Sequence, residues 1–134
     1  VDLCLLDLIR GEAKLTKIGA VPTFIKRDDH VEMIKGYGLP IGILDNLEPT
    51  KAKVNLQDED MMIMVTDGIL DNVQKDEGAE EWLIGVIQGL ETKNPQEMAD
   101  KVMESVLRVG NGNSKSASGD DMTIMVTRIW EPIT

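Results

Sequence analysis

The sequence predicts an α+β fold, with a mostly antiparallel β-sheet and two helices packed on one of its faces. Short apolar runs recur through the first 65 residues; each is too short for a helix and rich in branched residues, as buried strands are. A helical spacing of apolar residues begins only after position 71, and a last run near position 125 returns to the strand pattern. Together these three observations give the fold class.

The first two strands are expected to form a hairpin. Residues 1–9 are nearly all apolar, which is typical of a central strand or of one that is buried on both faces. Arg10, Gly11 and Glu12 form the turn, and residues 13–18 form the second strand.

Four further strands follow before the first helix. Residues 23–26 and 31–34 flank a polar turn, and residues 51–56 alternate as an edge strand does. Residues 61–65 are apolar and follow a polar turn. Residues 36–42 hold three glycines and a proline, a composition that predicts a loop.

Two helices are predicted in the second half. Residues 79–90 place apolar side chains at i, i+3, i+4 and i+7, namely Leu83, Val86, Ile87 and Leu90. The second helix starts with Asn94 as its cap and Pro95 in the first helical position, and Glu97 completes the spacing of a capping box. It is expected to end near Gly110, and residues 110–119, which are small and polar, predict a mobile loop.

Composition limits the classes of function. A chain of 134 residues with 42% hydrophobic residues fits one domain with its own core. A net charge of −10 argues against nucleic acid or an anionic membrane surface as a direct partner. Cys4 is the single cysteine, so we expect a reducing, cytoplasmic setting without an internal disulfide.

Two runs carry the candidate site. Asp67 and Gly68 follow the run at 61–65, and Asp120 and Asp121 precede the run at the C-terminus. If the two strands are antiparallel neighbours, the end of the first and the start of the second lie at one edge of the sheet. Asp67 and Asp120 would then meet and form an all-oxygen site for Mg²⁺, Mn²⁺ or Ca²⁺.

Other interpretations of these residues stay open. Asp-Gly is a common turn pair, so Asp67 could simply end a strand while Asp120 caps another. Asp71 could belong to the site or cap the next helix, and we favour the cap. His30 and Cys4 are the only residues of their types, which nearly excludes a zinc site and leaves no nucleophile constellation.

Four stretches together resemble a known family. They are Lys-Ile-Gly-Ala-Val-Pro-Thr-Phe-Ile at 17–25, Leu-Pro-Ile-Gly-Ile at 39–43, Met-Val-Thr-Asp-Gly-Ile-Leu-Asp at 64–71 and Gly-Asp-Asp-Met-Thr at 119–123. They resemble, in order, motifs of metal-dependent serine/threonine phosphatases of the protein phosphatase 2C type. Within that group the similarity is greatest to the phosphatase domain of stage II sporulation protein E.

The resemblance implies a fold and a mechanism. The fold would be an αββα sandwich with a two-metal centre, manganese or magnesium, at one end of the sheets. Asp67 and Asp120 match ligands of that centre, while Gly68 and Asp121 are expected to lie beside the ligands. In the family a metal-bound water attacks the phosphoryl group, so no catalytic nucleophile from the protein is needed.

The chain also departs from the family. The earlier Asp-Gly motif, which bridges both metals, should precede Val1. We therefore expect residues 1–134 to be the C-terminal portion of a single phosphatase domain whose N-terminal portion is missing, and to be inactive alone. Half a sandwich should leave apolar sheet surface that the missing half, a second copy or another partner would cover.

The resemblance also suggests a substrate and a location. The substrate would be a phosphorylated anti-anti-sigma factor, whose dephosphorylation releases a sigma factor, and the parent protein would sit at a division septum. The alternative is a non-catalytic regulatory or interaction module with a phosphatase-like fold. A weaker alternative is an unrelated Ca²⁺-binding domain.

Overall fold

The computed structural model describes residues 1–19, 21–36, 49–73, 78–110 and 121–131. Seven strands and three helices lie in these ranges. The strands are β1 (Asp2–Asp7), β2 (Glu12–Lys17), β3 (Thr23–Arg27), β4 (His30–Ile34), β5 (Thr50–Asn55), β6 (Met61–Val65) and β7 (Ile124–Arg128); the helices are α1 (Asp67–Asn72), α2 (Ala79–Gly89) and α3 (Pro95–Gly110).

The strands form two sheets rather than the single sheet expected from the residue pattern. The first sheet has the order β1-β2-β5 and the second has the order β4-β3-β6-β7, and every pairing is antiparallel. The α+β class and the antiparallel pairing are thus confirmed. Two stacked sheets also agree with the sandwich that the family resemblance implies.

One core lies between the two sheets. Leu15 of the first sheet packs with Ile25, Ile34 and Met62 of the second, and Cys4, Leu6 and Val54 contact this cluster. Alternation along β2 explains it, because Ala13 and Leu15 point inward while Lys14 is exposed.

A larger core lies between the second sheet and the helices. Phe24, Ile63 and Val65 contribute from the sheet, and α2 and α3 contribute their apolar stripes. The buried members of those stripes are Leu83, Ile87, Met98, Val102 and Val106. The 3.6-residue period therefore predicted the buried helical faces correctly. The layers are thus first sheet, second sheet, helices.

The predicted N-terminal cap of α3, the second of the two predicted helices, is confirmed for one of the two hydrogen bonds of a capping box. Asn94 Oδ1 accepts a hydrogen bond from Glu97 N–H at 3.1 Å. In a capping box the Glu97 side chain would also accept a hydrogen bond from Asn94 N–H. Here Asn94 N–H donates to Thr92 Oγ1 instead, at 3.1 Å. Glu97 instead accepts from the Thr92 hydroxyl and pairs with Lys101 one turn later.

Asp71 does not cap the next helix, so that prediction was wrong. It lies inside α1, which starts directly after β6, and α2 is preceded by Gly78 in the left-handed conformation. Gly78 adopts φ +88° without the steric cost that a side chain would add.

The prediction of a central or doubly buried first strand was also wrong. Among the described residues β1 lies at an edge of the first sheet, and Leu3 and Leu5 are 61% and 64% exposed on the outer face of that sheet. The hairpin with β2 and the edge position of β5 are confirmed.

The predicted loop at 36–42 lies outside the described residues apart from Gly36, as does the predicted mobile loop at 110–119 apart from Gly110. Within the described ranges, none of the helices combines the length and the apolar character needed to cross a bilayer.

Candidate metal centre

The end of β6 and the start of β7 lie side by side. Val65 pairs with Ile124 as the last step of their antiparallel ladder. The prediction that these two runs share one edge of a sheet is therefore confirmed. Asp67 follows this ladder by two residues, and Asp121 precedes it by three.

The pairing continues past the ladder through Thr66. Its N–H donates to the carbonyl oxygen of Thr123 at 3.1 Å, and its Oγ1 accepts from Thr123 N–H at 2.9 Å. The same hydroxyl donates to the carbonyl oxygen of Asp121 at 3.3 Å. The backbone at Asp121 thus lies within hydrogen-bond reach of the residue that precedes Asp67.

Asp67 is exposed and opens helix α1. Its Oδ1 accepts a hydrogen bond from Gly68 N–H at 2.9 Å, and among the described residues it forms no ion pair. Gly68 is buried, and its N–H is the group that holds Asp67 Oδ1. An exposed carboxylate suits a hard divalent cation, and in the described ranges no hydrogen bond to the second oxygen of Asp67 is seen.

The donor chemistry fits magnesium or manganese, while the count of donors in the described ranges is low. No group of three or more His, Cys, Asp or Glu is placed there to hold a metal ion. Asp120 lies outside the described residues. The two-carboxylate site with Gly68 and Asp121 beside it therefore stays a prediction.

The lone histidine and cysteine lie in unrelated places. His30 starts β4 and is exposed beside the turn after β3, whereas Cys4 lies between the sheets, where its thiol contacts Met62 Sδ at 3.6 Å. Burial raises the pKa of the Cys4 thiol, and the charge of Asp2 raises it further, so a reactive thiolate is disfavoured.

Sequence reasoning missed a buried cation at this end of the sheets. Lys17 is 2% exposed; its ammonium lies 2.7 Å from Asp2 Oδ2 and 2.7 Å from Thr23 Oγ1, and it donates to Val21 O at 3.1 Å. A signal was available, because Lys17 shares the inward register of Ala13 and Leu15 in β2. The cluster joins both sheets close to Met64, which pairs with Thr23.

Comparisons with known proteins identify the family. The sequence matches the family described as Stage II sporulation protein E (SpoIIE) over residues 1–130. It is 37% identical to stage II sporulation protein E of Bacillus subtilis and 36% identical to that of Priestia megaterium, over 96% of this chain in each case. The chain spans 15% and 21% of the length of those relatives.

Comparison with solved structures supports the same family assignment. The SpoIIE phosphatase domain from Bacillus subtilis, presoaked with Mn, superposes with a TM-score of 0.83 at 33% identity; the match covers all of this chain and 58% of that one. The RsbU and RsbW domains of Rv1364c from Mycobacterium tuberculosis match with a TM-score of 0.75 at 19% identity, over 96% of this chain and 35% of theirs, which shows a shared fold. The chain belongs to the stage II sporulation protein E family and has the fold of its protein phosphatase 2C-type phosphatase domain.

Proposed function

We propose that this chain is the C-terminal portion of a metal-dependent protein serine/threonine phosphatase domain. Asp67 and Asp120 would contribute carboxylate ligands to a centre of two manganese or magnesium ions. The observation that carries the proposal is the pairing of Val65 with Ile124, which brings the segment before Asp67 beside the one that follows Asp120. Membership of the family supplies the expected reaction, hydrolysis of a phosphoserine.

The residues of this chain would bind and orient rather than attack. When bound, the metal ions would supply an activated water and neutralise charge on the phosphate oxygens. Asp67 presents an exposed carboxylate at the end of a buried strand, and Gly68 N–H fixes the position of one of its oxygens. Asp121 would support the site through its backbone rather than bind the metal.

The substrate is proposed as a phosphorylated anti-anti-sigma protein. This follows from the family resemblance and is supported by the structural match to a protein with RsbU and RsbW domains. The net charge of −10 is consistent with a protein partner and with the absence of nucleic acid from the reaction.

The outer face of the first sheet supports the proposal that a further portion of the domain is needed. Leu3 and Leu5 expose apolar surface there, and Lys14, Lys51 and Lys53 lie in register beside them. The second sheet, by contrast, is covered by α2 and α3. We propose that the N-terminal portion of the same domain covers the first sheet and supplies the remaining metal ligand.

The test is Mn²⁺-dependent phosphate release from a phosphoserine protein. The 134-residue chain is assayed alone and after it is joined to the preceding portion of its parent protein. We expect activity only in the longer protein. Asp67→Ala should abolish that activity, whereas Glu104→Ala, which removes an exposed carboxylate on α3, should retain most of it.

Other outcomes would change the proposal. Activity of the 134-residue chain alone would mean that its own residues complete the metal centre, and the ligand assignment would be wrong. If both proteins are inactive, the non-catalytic interaction module becomes the better account.

A further inference from the structure

The Thr66 hydroxyl, at the junction of β6 and α1, both accepts and donates a hydrogen bond. Its Oγ1 accepts from Thr123 N–H at 2.9 Å and can donate one proton. The carbonyl oxygens of Asp121 and Thr123 lie 3.3 and 3.5 Å from Oγ1, and the shorter distance favours Asp121. One side chain therefore ties the Asp121–Thr123 backbone to the residue that precedes Asp67.

These bonds lie beyond the regular ladder. The last ladder pair is Val65 with Ile124, and both Thr66 and Thr123 are exposed. Exposed backbone at the end of a ladder opens most readily, because few buried contacts hold it closed. The Thr66 hydroxyl supplies the side-chain hydrogen bonds that extend the pairing past this point.

We infer that Thr66 is a positioning residue, whose hydroxyl holds the segment at Asp121 at a fixed distance from the start of α1 at Asp67. This inference rests on the proposed function, since the proposed ligands Asp67 and Asp120 directly adjoin Thr66 and Asp121 in sequence. Ligands that are already in place bind a metal more tightly, because less chain must be ordered on binding.

The first measurement tests the contact itself. Amide hydrogen exchange of Thr123 is followed in the full 134-residue chain and in two variants, Thr66→Val and Thr66→Ser. Valine keeps the shape of threonine without the hydroxyl, so Thr123 should exchange faster in that variant, while serine should retain protection. Thr16→Val, on the outer face of the other sheet, makes the same chemical change and should leave Thr123 unaffected.

The second measurement tests positioning. Mn²⁺ is titrated into the same variants of the longer protein, which also carries the proposed remaining metal ligand, and paramagnetic broadening of the Gly68 and Asp121 amide signals gives the midpoint. Loss of the two hydrogen bonds of Thr66 Oγ1 should raise the midpoint of Thr66→Val by about fivefold to tenfold. Thr66→Ser and Thr16→Val should stay within about twofold of wild type. A purely structural role would lower the melting temperature without moving this midpoint.

The outcomes separate this inference from the proposed function. Faster exchange at Thr123 with an unchanged Mn²⁺ midpoint would overturn the inference and leave the phosphatase proposal standing. A longer wild-type protein whose signals Mn²⁺ never broadens would overturn it together with the Asp67 site, and phosphate release by that protein would then decide the function separately. If Thr66→Val does not fold, Thr66→Ala serves for both measurements.

Discussion

Two aspartates flank the same strand, β6, and they differ in burial and in hydrogen bonding. Asp60, just before the strand, is 1% exposed and accepts hydrogen bonds from Arg27 Nε at 3.0 Å, Arg27 Nη2 at 2.7 Å and Gln57 N–H at 2.8 Å. Asp67, two residues after the strand, is exposed and accepts from Gly68 N–H.

The difference separates a carboxylate that stabilises the fold from one that can bind a ligand. A buried carboxylate must satisfy its oxygens with protein donors, because an unpaired charge away from water is costly. Asp60 does so and has little capacity left for a ligand. Asp67 is free of that requirement, because its side chain is exposed to solvent, where a cation can reach it.

Asp60→Ala should give the largest loss of stability. It removes the partner of Arg27 and the acceptor for Gln57 N–H, so we expect the free energy of unfolding to fall by about 2–3 kcal/mol. The estimate is moderate because Arg27 is 37% exposed and also donates to Asn55 O. Urea denaturation at neutral pH, with Asp67→Ala measured in parallel, provides the comparison.

A double variant sharpens this prediction. Removing both charges with Arg27→Met and Asp60→Leu should cost less than Asp60→Ala alone, because the Arg27 charge is then not left without its partner, while Gln57 N–H loses its acceptor in both proteins. Equal losses for Asp60→Ala and Asp67→Ala would contradict the distinction between the two carboxylates.

Substitution of Lys26, which lies near the same end of β6 as Asp60, should give the next largest loss of stability. Lys26 is 8% exposed and donates to the carbonyl oxygen of Ile87 at 2.8 Å and to that of Leu90, and so caps the C-terminal end of α2. Lys26→Met removes this donor from both carbonyls, and among the described residues Ile87 O keeps only its hydrogen bond from Leu90 N–H, so we expect a loss of about 1–2 kcal/mol at neutral pH. Thermal or urea unfolding measures it, with Lys14→Met, an exposed lysine, as the control.

The same residue predicts a pH dependence. Burial lowers the pKa of Lys26, so its folded pKa lies below its unfolded value, near 10.5. Between these two values the folded state has already lost the proton that the unfolded state still binds, so stability rises with pH in that window. The stability advantage of wild type over Lys26→Met should therefore grow as pH rises toward 10.5. A constant difference would show that burial does not shift this pKa.

The sequence predicted the pairing of the strands beside Asp67 and Asp121, but it did not predict the partner of Asp60. Asp67 follows a buried run and precedes a glycine, and the paired run near Asp121 mirrors it, so local patterns were enough to bring these segments together. The partner of Asp60 could not be found this way. Arg27 lies in the hairpin of β3 and β4, and it reaches Asp60 only because β3 pairs with β6.

A similar limit explains the misplacement of β1. An apolar pattern reports how much apolar surface a strand carries and not how many strands flank it. Leu3 and Leu5 therefore predicted a central strand, although β1 pairs only with β2 in the described part of the chain. Helices α2 and α3 were predicted well because a 3.6-residue period specifies both the element and its buried face. The six-residue helix α1 was not predicted, because it is too short to show that period.

Asp67→Asn should give the smallest change in stability and the largest change in metal binding. The side chain keeps its shape and its oxygen for Gly68 N–H, so the free energy of unfolding should change by less than about 0.5 kcal/mol. The negative charge that attracts a divalent cation is lost, so broadening of the Gly68 and Asp121 amide signals by Mn²⁺ should disappear. Suppose instead that Asp67→Asn lowered the free energy of unfolding as much as Asp60→Ala does and still bound Mn²⁺. Asp67 would then stabilise the fold and would not be the metal ligand. The metal would then have to bind at the other end of β6, beside Arg27, where both carboxylate oxygens of Asp60 already accept hydrogen bonds.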